Sequence, residues 1–187
     1  DSYDDGHFKE QAAFSNATFH ITDSWDVSGG ARYSSYTNRA CGYSSAAIFD
    51  AGQEPFCTRL PSQDVTLWML NTAYHLNADQ MVYARYSTGY RPGKGCETCG
   101  NPLLGVPGIV EPDRTKNYEL GFKGSFLGGQ LTVDMTAFRI DWTDIQINKL
   151  TAQGFNYAGN GSGARSTGFE LSSHQRLFGG LTLTQTL

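Results

Sequence analysis

The stretch Asn117-Tyr118-Glu119-Leu120-Gly121-Phe122-Lys123-Gly124-Ser125-Phe126 decides the fold class. Tyr118, Leu120, Phe122 and Phe126 form one row, and Asn117, Glu119, Lys123 and Ser125 form the other, so an apolar face backs a charged face with a period of two. The same alternation sets Trp25, Val27, Ala31 and Tyr33 against Asp26, Ser28, Arg32 and Ser34. It recurs where Val82, Ala84, Tyr86 and Tyr90 alternate with Arg85 and Ser87, and where Leu181 and Leu183 alternate with Thr182 and Thr184. Working outward, short breaks fall at Thr22-Asp23-Ser24, Asn77-Ala78-Asp79, Gly128-Gly129 and Phe178-Gly179-Gly180. Long breaks rich in Gly, Pro, Asn, Ser or Cys cover 40–61, 92–112 and 149–158, so short and long connections alternate. Eight strands are predicted, at about 7–21, 25–39, 62–76, 80–91, 113–127, 130–148, 159–177 and 180–187. The sixth changes phase, from Leu131, Val133 and Met135 to Phe138, Ile140 and Trp142, which predicts a bulge or a passage out of a bilayer.

Composition agrees with a strand-built chain. The 187 residues include 22 Gly, 11 Phe, 10 Tyr and 3 Trp, with only 17% charged residues. Lys and Arg number 14 against 18 Asp and Glu, and this net charge of −4 excludes a general nucleic-acid footprint. No run reaches the ~18 apolar residues of a membrane-spanning helix; Val65 to Leu70 is the densest stretch. A membrane barrel remains open. Strands of ~14 residues rising ~3.4 Å each are about 48 Å long, and a tilt of ~40° leaves about 36 Å of height, more than the ~25 Å apolar band of an outer-membrane barrel. Phe19, Trp25, Tyr74 and Phe126 flank short turns, while Tyr33, Tyr36, Tyr90 and Trp142 lie nearer long loops, as two aromatic girdles require. A soluble antiparallel sandwich also alternates, but its strands are usually shorter and its loops do not alternate short with long.

Several blocks resemble a known family. Asp79-Gln80-Met81-Val82-Tyr83-Ala84-Arg85-Tyr86-Ser87-Thr88-Gly89-Tyr90-Arg91-Pro92-Gly93 resembles the "vYaryskGyrpG" strand of TonB-dependent outer-membrane receptors. Glu111-Pro112 with Asn117 to Lys123 is similar to "pE…nyElGlK", and Gly129 to Val133 with Ala137 to Gln146 to "grltlnaaaFyidytDiQ". Asn160 with Ala164 to Leu171 resembles "NaG.ars.GvEle", and Gln11 to Phe14 and Gly30 to Tyr33 resemble "qyalFgq" and "GlRYs". Two positions depart from the family pattern: the Glu precedes the Pro in Glu111-Pro112, and Gly161-Ser162 replaces the usual Ala-Gly after Asn160. The resemblance implies an all-β fold, an antiparallel transmembrane β-barrel segment contributing about eight strands to a 22-stranded barrel. It also implies a plug domain, a TonB-contacting segment and barrel-closing strands that these residues do not include, so residues 1–187 are expected to form an interior piece of the barrel's C-terminal half.

On that reading the chain lies in the outer membrane of a Gram-negative bacterium. Its implied partners are outer-membrane lipid, the TonB complex through other regions, and a small-molecule or metal-chelate ligand, with no nucleic acid, no metal site and no cofactor. Cys41 and Cys57 fall in one long break and Cys96 and Cys99 in the next, so two local disulfides are expected in an oxidising exterior, and a zinc site pooling the four thiols is the alternative. Arg32, Arg85, Glu119, Lys123, Asp134 and Glu170 lie on polar rows and are expected to face the lumen. Tyr43, Phe49, Phe56, Arg59, Arg91 and Lys94 combine aromatic faces with cations in the loops, which suits a bulky or anionic ligand.

Other chemistries find little footing. Gly159-Asn160-Gly161-Ser162-Gly163-Ala164 matches a dinucleotide pattern, but a strand follows it where a helix is needed. Gly89 to Lys94 is one residue short of a phosphate loop. His7, His20, His75 and His174 are scattered without an i, i+4 pair, so no catalytic constellation is expected. The function implied is energised uptake of a scarce nutrient such as a ferric siderophore, corrinoid or oligosaccharide. A passive porin, or a surface adhesin or assembly protein, would share the strand pattern.

Overall fold

A computed structural model describes residues 2–44, 56–59, 62–95 and 102–187, with backbone alone at 2–5, 39–44 and 56–59. β1 (Ser2–Thr22) and β2 (Trp25–Ser44) make the first hairpin, and β3 (Phe56–Arg59) pairs with the far end of β2. β4 (Gln63–Asn77) and β5 (Gln80–Arg91) make the second, followed by the short ladder of β6 (Lys94–Gly95) and β7 (Ile109–Val110). β8 (Asp113–Phe126) and β9 (Leu131–Thr143) form the third hairpin; β10 (Gln146–Leu150) and β11 (Asn156–Asn160) form a separate one in the next connection. β12 (Gly163–Arg176) and β13 (Thr182–Thr186) complete the series. The main sheet runs β1-β2-β4-β5-β8-β9-β12-β13, an antiparallel meander of eight long-range neighbours in chain order.

The eight expected strands are present, with shifts of boundary: β1 begins at Ser2 instead of near 7, β9 stops at Thr143 where the expected sixth strand ran to 148, and two more changes follow from the pairing. β2 runs to Ser44 instead of ending near 39, because β1 continues opposite it to Ser2 and satisfies its backbone groups. The expected break at 149–158 is largely the β10–β11 hairpin, and the strand expected from 159 divides at Gly161-Ser162. The tight turns follow local chemistry: the Asp79 amide donates to the Asn77 side-chain oxygen at 2.9 Å, and Leu127, Gly128 and Gly129 take positive φ between β8 and β9.

Register assigns the two faces, since residues directly opposite share a face and neighbours along a strand alternate. One face carries Phe19, Trp25, Val27, Tyr33, Trp68, Leu70, Tyr74, Val82, Tyr86, Tyr118, Leu120, Phe122, Met135, Phe169 and Leu171. The other carries Glu10, Asp26, Arg32, Asn71, Arg85, Glu119, Lys123, Asp134 and Glu170. The apolar face is open: Phe19 is 70% exposed, Trp68 57% and Leu120 64%, while only Tyr36, Val65, Ala73 and Val110 count as buried hydrophobics among the described residues. A soluble sandwich would bury that face against a second sheet, and among the described residues none lies on it.

The phase change in β9 has a clear form. β9 pairs with both β8 and β12 without any shift of register, so there is no bulge. Leu131, Val133, Met135 and Ala137 lie on the apolar face; further up, Arg139 and Asp141 take that face while Phe138, Ile140 and Trp142 take the other. Of the expected girdle aromatics, Tyr36 and Trp142 therefore sit on the polar face, opposite to Tyr33. The apolar face is edged by Trp68, Tyr86 and Tyr118 at this level, the last two with ring centres 5.2 Å apart.

Candidate functional site

Two arrangements on the polar face combine many functional groups. The first is the wall itself. All six residues expected to line the lumen, Arg32, Arg85, Glu119, Lys123, Asp134 and Glu170, share this one face. Opposite charges meet across strands: Arg32 donates to Glu10 at 2.6 Å, Lys123 to Asp134 at 2.6 Å, and Arg85 lies 4.0 Å from Glu119. Near the short turns, Asp26 is shared by His20 at 2.5 Å and His75 at 3.1 Å. Lys123 and Asp134 are substantially exposed, 48% and 40%, so their pair is worth only about 0–1 kcal/mol. Their contribution is a wettable surface with nearly balanced charge, not cohesion of the sheet.

Aromatic rings tile the gaps in that wall. The Tyr83 ring lies across Gly121, where an added Cβ would come within 2.3 Å of it, and its hydroxyl reaches Thr136 at 3.0 Å on the next strand. Phe138 covers Gly168 in the same manner, 2.6 Å from a hypothetical Cβ. Glycine is needed at both positions because the cross-strand ring occupies the space of a side chain.

The second arrangement anchors the long connections where they leave the sheet. Asp113, at the start of β8 and 2% exposed, accepts from Arg91 Nε at 2.9 Å and from the Gln146 amide at 3.3 Å, with a further contact to Arg91 Nη2. The Gln146 side chain donates to the carbonyls of Pro92 at 2.8 Å and Glu111 at 3.2 Å. Asn160 accepts from the Glu111 amide at 2.8 Å and donates to the Glu111 and Asp144 carbonyls at 2.9 and 2.7 Å. On the other side Gln63 Oε1 accepts from Tyr90 at 2.9 Å and from the Gly93 amide at 3.0 Å. Three connections are thus tied at their bases. Gly93 must lack a side chain, since a Cβ would stand 2.6 Å from the Val110 carbonyl.

The loop residues expected to meet a ligand are distributed unevenly. Arg91 belongs to the anchor, with its guanidinium also 5.5 Å from the Trp142 ring centre. Lys94 is exposed on β6. Tyr43 lies on β2 and Phe56 and Arg59 on β3, where the backbone alone is described; Phe49, Cys96 and Cys99 lie outside the described residues. The β2–β3 register puts Cys41 directly opposite Cys57. Asp113, Gln146, Asn160 and Gln63 were not singled out as site residues in the sequence. The available signal was position: each is a polar residue at the end of a strand, where carbonyls lose their ladder partners.

Comparison with known proteins matches this geometry. A family model described as "TonB dependent receptor-like, beta-barrel" covers residues 1–187. The chain is similar to a ferric-pyoverdine 358 receptor of Pseudomonas putida, 29% identical over 71% of the chain and 14% of that protein. It is also 29% identical to the pesticin receptor of Yersinia pestis over 88% of the chain and 23% of the relative. Among solved structures, the ferric yersiniabactin uptake receptor of Yersinia pestis aligns with TM-score 0.73 and 24% identity over the full chain and 28% of that structure. The ferripyoverdine receptor of Pseudomonas aeruginosa bound to ferripyoverdine aligns with TM-score 0.65 and 20% identity over 99% of the chain and 23% of that structure. The chain thus spans less than a quarter of the curated relatives' length.

Proposed function

Because the chain belongs to the TonB-dependent receptor β-barrel family, we propose that it forms part of the barrel wall and surface loops of an outer-membrane receptor for TonB-energised uptake of a metal-chelate ligand. The carrying observation is the meander of long strands with one apolar and one polar face, whose polar-face ion pairs span Glu10 to Asp134. Such a wall suits lipid on one side and a plugged, wet lumen on the other. The plug, the TonB-contacting segment and the remaining barrel strands belong to other parts of the full-length protein. Arg32, Arg85, Glu119, Lys123, Asp134 and Glu170 are the lumen lining in this reading.

Ferric siderophores are favoured over corrinoids and oligosaccharides, because the similar receptors are named for ferric-pyoverdine and ferric yersiniabactin. Tyr43, Phe49, Phe56, Arg59 and Lys94 supply ligand contacts from the loops, whereas Arg91 acts by fixing loop geometry through Asp113. The protein is a receptor and performs no covalent chemistry. Disulfides Cys41–Cys57 and Cys96–Cys99 brace the loops; for the first, opposed Cα atoms of an antiparallel pair stand about 4.5–5.5 Å apart, within the disulfide range.

The test is uptake of radioactive iron, presented as a panel of ferric siderophores, by iron-starved cells carrying or lacking the full-length gene. Gene-dependent uptake that stops when TonB is deleted is the expected result. Uptake insensitive to TonB would mean a passive channel, and no gene-dependent uptake of any chelate would favour an adhesin.

A further inference from the structure

Asn160 and Gly161 form the only Asn-Gly step in the 187 residues. Such a step is chemically labile, because glycine carries no side chain to screen its amide nitrogen from the carboxamide before it. Its place in the fold gives the lability a consequence. Asn160 ends β11, is half-buried, and clasps the β9–β12 connection to the β5–β8 connection through its carboxamide. Nδ2 donates to the Glu111 carbonyl at 2.9 Å and to the Asp144 carbonyl at 2.7 Å, while Oδ1 accepts from the Glu111 amide at 2.8 Å.

Two carbonyls converging on Nδ2 can be answered only by N–H donors. An ionised carboxylate in the same place has acceptors alone, so one of its oxygens would stand against both carbonyls with no hydrogen between them, and the desolvation of each carbonyl would go uncompensated. In the closed clasp the carboxamide is protected from that change. The Gly161 N–H donates to the Ile145 carbonyl at 2.6 Å, which engages the nitrogen, and three hydrogen bonds fix the side chain it would have to meet. Opening the base of the β10–β11 hairpin frees both groups together.

We propose that Asn160 is a deamidation site gated by this clasp, and that its conversion permanently releases the β10–β11 hairpin from the β5–β8 connection. In the open state the Gly161 nitrogen bonds to Asn160 Cγ and the Cγ–Nδ2 bond breaks. The proton given up by the Gly161 amide joins the departing NH2 group, which leaves as ammonia. Water then adds to either carbonyl of the cyclic imide, whose opening leaves aspartate or isoaspartate at position 160. Nothing is oxidised or reduced, and water is the only co-reactant. The inference rests on the anchor geometry and is independent of which ligand the receptor carries.

The full-length protein in detergent micelles is aged at mildly alkaline pH, and peptide mapping by mass spectrometry scores amide-to-acid conversion at Asn160 against Asn148 and Asn156, which are exposed but followed by Lys149 and Tyr157. Asp113→Ala loosens the anchor by removing the acceptor of Arg91 and of the Gln146 amide, and should raise the Asn160 rate about thirtyfold while leaving Asn148 and Asn156 unchanged. Gly161→Ala, whose added carbon would stand 3.1 Å from the movable end of Ile147, should abolish the conversion in that background. Asn160→Asp, one of the two products, should speed hydrogen exchange at the Gln146 and Gly161 amides about ten- to hundredfold and leave the middle of β8 at the wild-type rate. Heat-modifiable gel mobility reports separately that each variant is folded. Should Asp113→Ala fail to fold, Gln146→Ala, which removes the donors to the Pro92 and Glu111 carbonyls, makes the same comparison. Equal Asn160 rates in wild type and the loosened variant overturn the gate, and unchanged exchange in Asn160→Asp overturns the release.

Discussion

Cutting the loop anchor at either end of its ion pair should have unequal effects. In Asp113→Ala the acceptor of Arg91 Nε and of the Gln146 amide disappears, while Arg91, 48% exposed, can recruit water in compensation. Hydrogen bonds to a charged group contribute about 1.5–3 kcal/mol each, and partial solvation of Arg91 reduces their sum, so local opening should become easier by about 2–3 kcal/mol. Arg91→Ala instead leaves a carboxylate that is 3% exposed without its cation, and should cost about 3–5 kcal/mol. Hydrogen exchange with mass spectrometry on the full-length protein in micelles reads this directly. Peptides holding the Gln146 and Glu111 amides should exchange about 30- to 150-fold faster in Asp113→Ala, and faster again in Arg91→Ala, while peptides from the middle of β8 keep the wild-type rate. Equal effects of the two variants, or acceleration spread evenly over all strands, would refute the reasoning that the buried member of the pair controls the anchor.

Gly121→Ala should displace the Tyr83 ring and break its bond to Thr136, lowering stability by about 1–3 kcal/mol in a heat-modifiability melt, whereas Gly29→Ala, with nothing within 4 Å of the added carbon, should shift it little. Lys123→Gln should change stability by less than about 1 kcal/mol in the same melt, because its pair with Asp134 is exposed. Non-reducing peptide mapping should find Cys41 linked to Cys57, and recovery of both as alkylatable thiols from surface-exposed native protein would reject the pairing. In a background without native cysteines, a membrane-impermeant maleimide on intact cells should label Gly105→Cys in a long connection and spare Ala78→Cys in a two-residue turn; the reverse pattern would invert the orientation.

The period-two rows were legible because each strand faces two unlike solvents, and the register preserves that alternation from Trp25 to Leu183. Strand ends were less legible: β2 continues past Asn38 because β1 lies opposite, which is a property of the pair and not of either segment. The six residues expected to line a lumen could be placed on one face from parity alone. The anchor could not, since Arg91, Asp113, Gln146 and Asn160 come together from two connections, and only their assembled geometry shows that each answers a carbonyl, amide or charge left over by another. Gln146 illustrates this well, with its amide bound to Asp113 and its side chain bound to Pro92 and Glu111.

The inversion along β9 ties the two faces to one cause. Below Tyr118 the outer row is apolar and the inner row holds Asp134 and Thr136; above it the outer row holds Arg139 and Asp141 and the inner row Phe138, Ile140 and Trp142. A bilayer that ends at the aromatic edge explains the outer change, because charge becomes inexpensive where headgroups and water begin. The inner change needs a different partner, since a water-filled lumen gives no reason for three consecutive apolar positions. There the wall also leaves the Trp142 indole N–H and the Asn117 side-chain oxygen buried without a hydrogen-bond partner. A donor and an acceptor buried without partners beside an apolar row cost free energy that their neighbours in the sheet do not offset. The Trp142 ring lies beside the Arg91 anchor. Trp142→Phe, which removes the orphan donor and keeps the ring, should therefore leave stability in a heat-modifiability melt unchanged or higher, without loosening the anchor's hydrogen exchange. A loss of stability together with faster exchange would mean that the indole N–H supports the Arg91 anchor.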